Sequence, residues 1–205
     1  MSLSLTNWAA IADLPTLRDR LLTLLCERAY REGDFTLSSG QPSRYYVNCK
    51  PVTLHPEGAL AIGRLLLDRL PSDTDAVAGL TLGADPIVSA VSVVSALADA
   101  PINALIVRKE AKGHGTMDYI EGPTLKAGAA VVVLEDVVTT GNSALKAVDR
   151  LVAAGYRVDR VLAIVDRQQG GAELYRDRGL AFDALFRREE LSDHWAALHG
   201  SAAEG

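Results

Sequence analysis

Cysteine is scarce in this chain. Cys26 and Cys49 are the only two in 205 residues, and neither sits in a C-x-x-C or zinc-ligand spacing. That excludes a disulfide framework and a cysteine-built zinc site, and it fits a reducing cytoplasm. An excess of positive charge is lacking too. Lys and Arg number 21 against 26 Asp and Glu, a formal net charge of −5, so no broad nucleic-acid surface is expected. A local cationic pocket for a small anion is still allowed. No stretch of about 18 apolar residues runs free of charge, so no membrane span is expected. The longest candidate, 87–97, is too short and carries serines. The first eleven residues have neither a basic region nor a long apolar core, so no signal peptide is read. There is no G-x-x-x-x-G-K-[ST] loop and no G-x-G-x-x-G after a strand, which removes the common nucleotide-binding fingerprints.

What remains is ordinary globular composition, 48% hydrophobic and 23% charged. The length permits one domain with a small appended part. Leu17, Leu21, Leu24, Leu25 and Arg28 recur at helical spacing after Asp13-Leu14-Pro15, and Gly33-Asp34 is the expected stop. Cys26 falls in the apolar register of that helix, so a buried thiol is expected. Short strands are predicted at 35–37 and 45–47 around the turn 38–42. From His55 onward the pattern alternates. Helices are predicted at 56–70, 84–98, 142–154 and 171–178, and apolar strands at 76–80, 104–107, 129–134, 160–165 and 182–186. Residues 111–122 show no periodicity. Strands alternating with helices predict an α/β fold with a mostly parallel sheet covered on both faces. A helix and hairpin over about 1–54, a core over about 55–188 and a C-terminal helix or tail over 189–205 make up the expected single domain. Ligands in such sheets bind beyond the carboxyl ends of the strands.

Chemistry-bearing residues cluster at those ends. The run 131–143 reads apolar strand, Glu135-Asp136, Val137-Val138, then Thr139-Thr140-Gly141-Asn142-Ser143 and a helix. A helix amino terminus presents free N–H groups and a positive dipole end, so the turn suits a phosphate. A turn capped by Ser or Asn would look the same. Two adjacent carboxylates at a buried strand's end repel and lose solvation unless something pairs with them. Vicinal hydroxyls would serve, as would water on a magnesium ion. After the strand at 104–107 come Arg108, Lys109, Lys112 and His114, interspersed with Gly113 and Gly115, which read as a polar lid. Cations closing over an anionic leaving group would stabilise its transition state. A solvated basic loop is the plainer reading. Tyr45-Tyr46 offers aromatic surface, or an edge strand with one buried ring. Asp166-Arg167-Gln168-Gln169-Gly170-Gly171 places a guanidinium fork, suited to carboxylate, after a strand.

The run 131–143 resembles the phosphoribosyl pyrophosphate signature of type I phosphoribosyltransferases along its whole length. R-K-x-x-K-x-H-G at 108–115, F-T-L-x-S-G-x-x-S-x-Y-Y at 35–46 and D-R-x-x-G-G at 166–171 are similar to the orotate-specific branch of that family. The resemblance covers roughly 30–171, with the motifs in the family's order. It implies the type I phosphoribosyltransferase fold with an amino-terminal hood. The implied reaction converts orotate and phosphoribosyl pyrophosphate to orotidine 5′-phosphate and pyrophosphate. It also implies Mg²⁺ carried by the pyrophosphate substrate, with no direct protein ligands, and a homodimer with shared sites. By that resemblance Glu135 and Asp136 hold the ribose and residues 137–143 the 5′-phosphate. Arg108, Lys109, Lys112 and His114 contact pyrophosphate, with Lys112, His114 and Asp136 catalytic. Tyr45, Tyr46, Thr139 and Arg167 select orotate. A transferase for another base, or a regulator that senses phosphoribosyl pyrophosphate without turnover, is the alternative. Many members carry lysine where this chain has Ser38, and Tyr-Lys where it has Ala84-Asp85. Lys50 could replace one of those charges.

Overall fold

The computed structural model describes residues 7–36, 40, 42–111 and 119–200. In chain order these form α1 (Trp8–Ile11), α2 (Leu14–Arg28), β1 (Tyr30–Thr36), β2 (Pro42–Val47), α3 (Lys50–Thr53), α4 (Pro56–Leu67), β3 (Ala76–Leu80) and α5 (Asp85–Leu97). Then come β4 (Asn103–Val107), β5 (Ile120–Glu121), β6 (Ala130–Val138), α6 (Asn142–Ala153), β7 (Arg157–Asp166), α7 (Gly171–Asp177), β8 (Ala181–Arg187) and α8 (Arg188–Gly200).

Six strands form one sheet in the order β5-β4-β3-β6-β7-β8, all parallel except β5 against β4. The α/β expectation therefore holds. The apolar runs have a physical reason: every residue of β3 is buried, as double-sided coverage demands. Helices α2, α4, α5 and α8 cover one face through Leu21, Ile62, Val88 and Leu191. Helices α6 and α7 cover the other through Leu145, Leu151 and Tyr175. Cys26 and Cys49 are both buried and free, and burial pushes the Cys26 thiol up to about 12.

Several expected boundaries shift: the first two strands run 30–36 and 42–47 where 35–37 and 45–47 were expected, and β7 spans 157–166. Helix α2 ends at Arg28, well before Gly33-Asp34, and those two residues lie inside β1, where the pairing with β2 slips between Glu32 and Phe35. The glycine serves a bulge and does not stop a helix. Strand β6 does not end before the acids: Glu135 pairs with Ala163, Val137 with Val165 and Val138 with Asp166. Hydrogen bonding to β7 carries the strand past the carboxylates. Helix α4 stops at Leu67, short of the expected Leu70.

The sheet order has one reversal. From β3 the chain moves to β4 on one side, and from β6 to β7 on the other. The crevice beyond the carboxyl ends of β3 and β6 is thus the place where a ligand fits.

Candidate active site

Strand β6 delivers Glu135 and Asp136 to opposite sides of the sheet, because successive strand residues alternate faces. Glu135 lines a small cavity of about 60 Å³ together with Val137, Val138, Thr139, Thr140, Gly141, Asn142, Ser143 and Tyr175. It is only 7% exposed, and its Oε2 has no hydrogen-bond partner. Burial, then the neighbouring Asp136 charge, pushes its carboxyl up to about 8, while Lys109 pulls the other way. Asp136 lies toward Gly83, whose missing Cβ would fall 2.8 Å from Asp136 Oδ1. That close approach is a reason for glycine at the β3 end.

The turn after β6 is shaped for an anion. Gly141 has φ of 83°, a left-handed conformation that glycine adopts without strain, and it caps α6. The N-cap residue of α6, Gly141, supplies no side-chain hydrogen bond to its first turn. The alternative of a Ser or Asn cap is therefore not what the turn uses. Its amide groups remain for a ligand at the positive end of a 12-residue helix. Asn142 Nδ2 donates instead to Thr140 Oγ1 at 3.1 Å.

Arg167 is 9% exposed, and its Nη2 is buried without a partner. Its Nε donates to the Tyr45 hydroxyl at 3.2 Å, and its guanidinium carbon lies 4.8 Å from the centre of that ring. Gln169 Nε2 donates to the same hydroxyl at 3.2 Å. Tyr45 also stacks on Tyr30, with ring centres 6.1 Å apart, and Arg188 lies over it at 5.5 Å. Tyr46 points the other way. It is 44% exposed and packs on Phe35 at 5.7 Å. Strand alternation thus separates the two tyrosines expected as a pair.

At the end of β4, Arg108 pairs with Glu121 at 3.1 Å. Lys109 is exposed, and its charge acts on Glu135. Arg150 of α6 donates to the carbonyls of Arg108 and of Lys109, the latter at 2.8 Å, and lies 4.1 Å over the Tyr119 ring. Lys112, His114 and Ser38 lie outside the described residues. Asp85 Oδ2 accepts from Thr81 Oγ1 at 2.8 Å, while Oδ1 is buried without a partner. Lys50 is exposed at the start of α3.

Glu135 and residues 137–143 line one cavity and Arg167 meets Tyr45, whereas Asp136, expected beside Glu135, faces Gly83 because strand residues alternate sides. Tyr175, Arg150 and Arg188 were not foreseen. Tyr175 and Arg150 sit at buried or half-buried positions of helices, where periodicity reports a core and nothing more. Arg188 carries no sequence signal at all.

No protein-family model matches the chain. The orotate phosphoribosyltransferase of Nostoc sp. is 70% identical over 191 residues, 93% of this chain and 93% of that one. That of Aquifex aeolicus is 46% identical over 178 residues, covering 85% of this chain and 97% of that one. A solved Mycobacterium tuberculosis orotate phosphoribosyltransferase, in complex with 5-phospho-alpha-D-ribosyl 1-diphosphate, matches with a TM-score of 0.72 at 36% identity. It covers 86% of this chain and 99% of that one. With an acidic pair, an anion turn and an unpaired buried guanidinium on that shared scaffold, the chain belongs to the orotate phosphoribosyltransferase family.

Proposed function

We propose that this protein transfers ribose 5-phosphate from phosphoribosyl pyrophosphate to orotate in de novo pyrimidine synthesis, giving orotidine 5′-phosphate and pyrophosphate. One observation carries the reading beyond family membership. The uncapped amino terminus of α6 adjoins a buried Glu135 whose Oε2 lacks a partner. A phosphate on the first and a ribose hydroxyl on the second would satisfy both. Arg167 Nη2, buried and unpaired, would take the orotate carboxylate, which uracil lacks.

The reaction substitutes at the anomeric carbon. The bond to pyrophosphate breaks with its electron pair leaving on oxygen. Orotate nitrogen, having lost its proton, forms the new bond. Positive charge gathers on the ribose during this exchange. Glu135 and Asp136 beside it would stabilise that charge more than the ground state. Binding of the ribose hydroxyls favours the ionised form of Glu135. Residues 137–143 would hold the 5′-phosphate, and Thr139 and Tyr45 would flank the base, while Tyr46, turned toward Phe35, would lie away from it. Arg108 and Lys109 would meet pyrophosphate at the β4 end. Lys112 and His114 would complete that contact.

Magnesium fits as an ion borne by the substrate. Among the described residues no group of three or more His, Cys, Asp or Glu could cage it. Hard carboxylate oxygens are nevertheless at hand in Asp136 and in the unpaired Oδ1 of Asp85. The ion would neutralise charge on the departing pyrophosphate. The reading also includes a cytoplasmic homodimer whose lids reach the partner's site. Two free buried thiols fit a reducing compartment.

The test is turnover. Protein, phosphoribosyl pyrophosphate and Mg²⁺ are mixed with orotate, uracil or a purine, and pyrophosphate release is followed for each base. Turnover with orotate alone is expected. Turnover with another base, or binding without turnover, would overturn the reading. For the shared site, inactive Lys112→Ala and Asp136→Ala proteins are mixed. Recovered activity is expected, and none after proven subunit exchange would refute sharing.

A further inference from the structure

Among the described residues, Tyr175 is the one lining the phosphate cavity that does not come from the 135–143 run. It is fully buried, on α7, and its ring packs on Phe182 with centres 5.1 Å apart. Its hydroxyl donates to the Gly141 carbonyl at 3.2 Å. Leu145 N–H donates to the same oxygen at 3.2 Å. Gly141 O therefore has both lone pairs engaged, one by its own helix and one from a different element.

The peptide plane makes that bond consequential. In a trans peptide the Asn142 N–H points opposite to the Gly141 C=O. Fixing the carbonyl toward Tyr175 and α6 aims the Asn142 amide out of the helix, into the anion cradle. The Tyr175 ring reinforces the arrangement sterically, because a Cβ at Gly141 would fall 3.0 Å from its Cε1 and Cζ.

Helix α7 touches the turn elsewhere as well. A Cβ at Gly171 would fall 2.3 Å from Val138 Cγ1 and 3.1 Å from Thr139 O, so the first turn of α7 lies directly against the phosphate turn. The segment leading into α7 carries Arg167, whose N–H donates to Val138 O at 2.9 Å. The helix behind the base-recognising arginine thus also braces the phosphate turn.

We infer that Tyr175 is a positioning residue for the 5′-phosphate: its hydroxyl is spent on Gly141 O, and through Gly141 it presets the amide of Asn142 for the anion. The inference rests on the proposed function and deepens it. Without the hydroxyl, the turn must be ordered by the ligand itself, which weakens binding but leaves the reacting groups in place.

The experiment titrates full-length wild type and Tyr175→Phe with phosphoribosyl pyrophosphate and Mg²⁺ by calorimetry, alongside steady-state kinetics. Removing one buried hydrogen bond should raise Kd and KM for phosphoribosyl pyrophosphate about three- to tenfold. kcat and the KM for orotate should stay within about twofold, since their contacts are untouched. Phe182→Leu serves as the second variant. It loosens the packing under Tyr175 but keeps the hydroxyl, and its KM for phosphoribosyl pyrophosphate should hardly change. An unchanged Kd in Tyr175→Phe overturns the inference. So does an equal rise in both KM values, or a matching rise in Phe182→Leu. Failure of the wild type to bind phosphoribosyl pyrophosphate would instead overturn the proposed function.

Discussion

Gly83 and Asp136 meet so closely that a single added carbon on the first would lie 2.8 Å from Oδ1 of the second and 2.9 Å from its Cγ. The turn after β3 and strand β6 thus converge on one carboxylate at the reversal of the sheet order. Gly83→Ala should push the Asp136 carboxylate aside and lower kcat/KM about ten- to a hundredfold, the usual effect of an ångström-scale misplacement. Melting temperature should move by only a few degrees. Unchanged kcat/KM would show that the position of this carboxylate is immaterial.

Arg167 should act on one substrate alone. A charged hydrogen bond is worth about 1.5–3 kcal/mol, so Arg167→Ala should raise the orotate KM roughly ten- to a hundredfold. The KM for phosphoribosyl pyrophosphate should not follow. Tyr45→Phe keeps the ring that the guanidinium covers and removes the hydroxyl accepting from Arg167 and Gln169. Its effect on orotate should be smaller, about three- to fivefold. Initial rates with each substrate varied in turn provide the check, and a parallel rise in both constants would move Arg167 out of the base site.

Glu135 links stability to pH. Burial raises its folded-state carboxyl from 4.5 to about 8, so the folded protein holds a proton that the unfolded chain releases. Stability from this group is present below pH 4.5 and is lost as pH rises toward 8. Glu135→Gln escapes that loss. In the absence of substrate, the variant should melt a few degrees above wild type at pH 8, and the gap should close near pH 4.5. Substrate binding works against the same shift. Phosphoribosyl pyrophosphate should bind more tightly as pH rises toward 8 and release protons, measurable as buffer-dependent calorimetric heat. Glu135→Gln should release none from this source, and identical proton release would disprove the linkage.

Arg150 holds the end of β4 from across the sheet. It donates to the carbonyls of Arg108 and Lys109 and covers Tyr119. In Arg150→Ala, amide hydrogens around Val107–Lys109 and Ile120–Glu121 should exchange about fivefold faster or more, given about 1 kcal/mol per hydrogen bond lost. Arg150→Lys should recover part of that protection, because one ammonium cannot fork to two carbonyls and stack as well. Exchange measured by mass spectrometry decides it, and uniform acceleration across the protein would point to general destabilisation.

Legibility from sequence followed burial. β3, β6 and the second half of β7 are buried on both sides and must be apolar, so they read as runs, and β4 reads as one although one of its faces is only half-buried. Short pieces carried too few residues to show a period: α1, α3 and β5 were not foreseen. Gly33 misled because a glycine that ends a helix and one that makes a bulge look alike in one dimension. The acids misled for a related reason. Polar residues usually close a strand, yet Glu135 stays paired because the backbone ladder to β7 is indifferent to the side chain it carries. In the site, whatever depends on local order was readable, as in the turn 139–143. Arg188 over Tyr45 and Tyr175 under Gly141 depend on long-range packing, and no local pattern announces such contacts.

The continuation of β6 through Val138 has a consequence for how this segment can change over time. Glu135 and Asp136 serve opposite layers only while the count of residues from the strand core to Gly141 is fixed. Inserting or deleting one residue there would exchange their faces, moving one acid out of the cavity and the other into it. Side chains between 131 and 141 can drift in size or polarity at graded cost, but the spacing itself is held all-or-none. Length variants of relatives should therefore fall outside this segment, in places such as the exposed loop between α5 and β4.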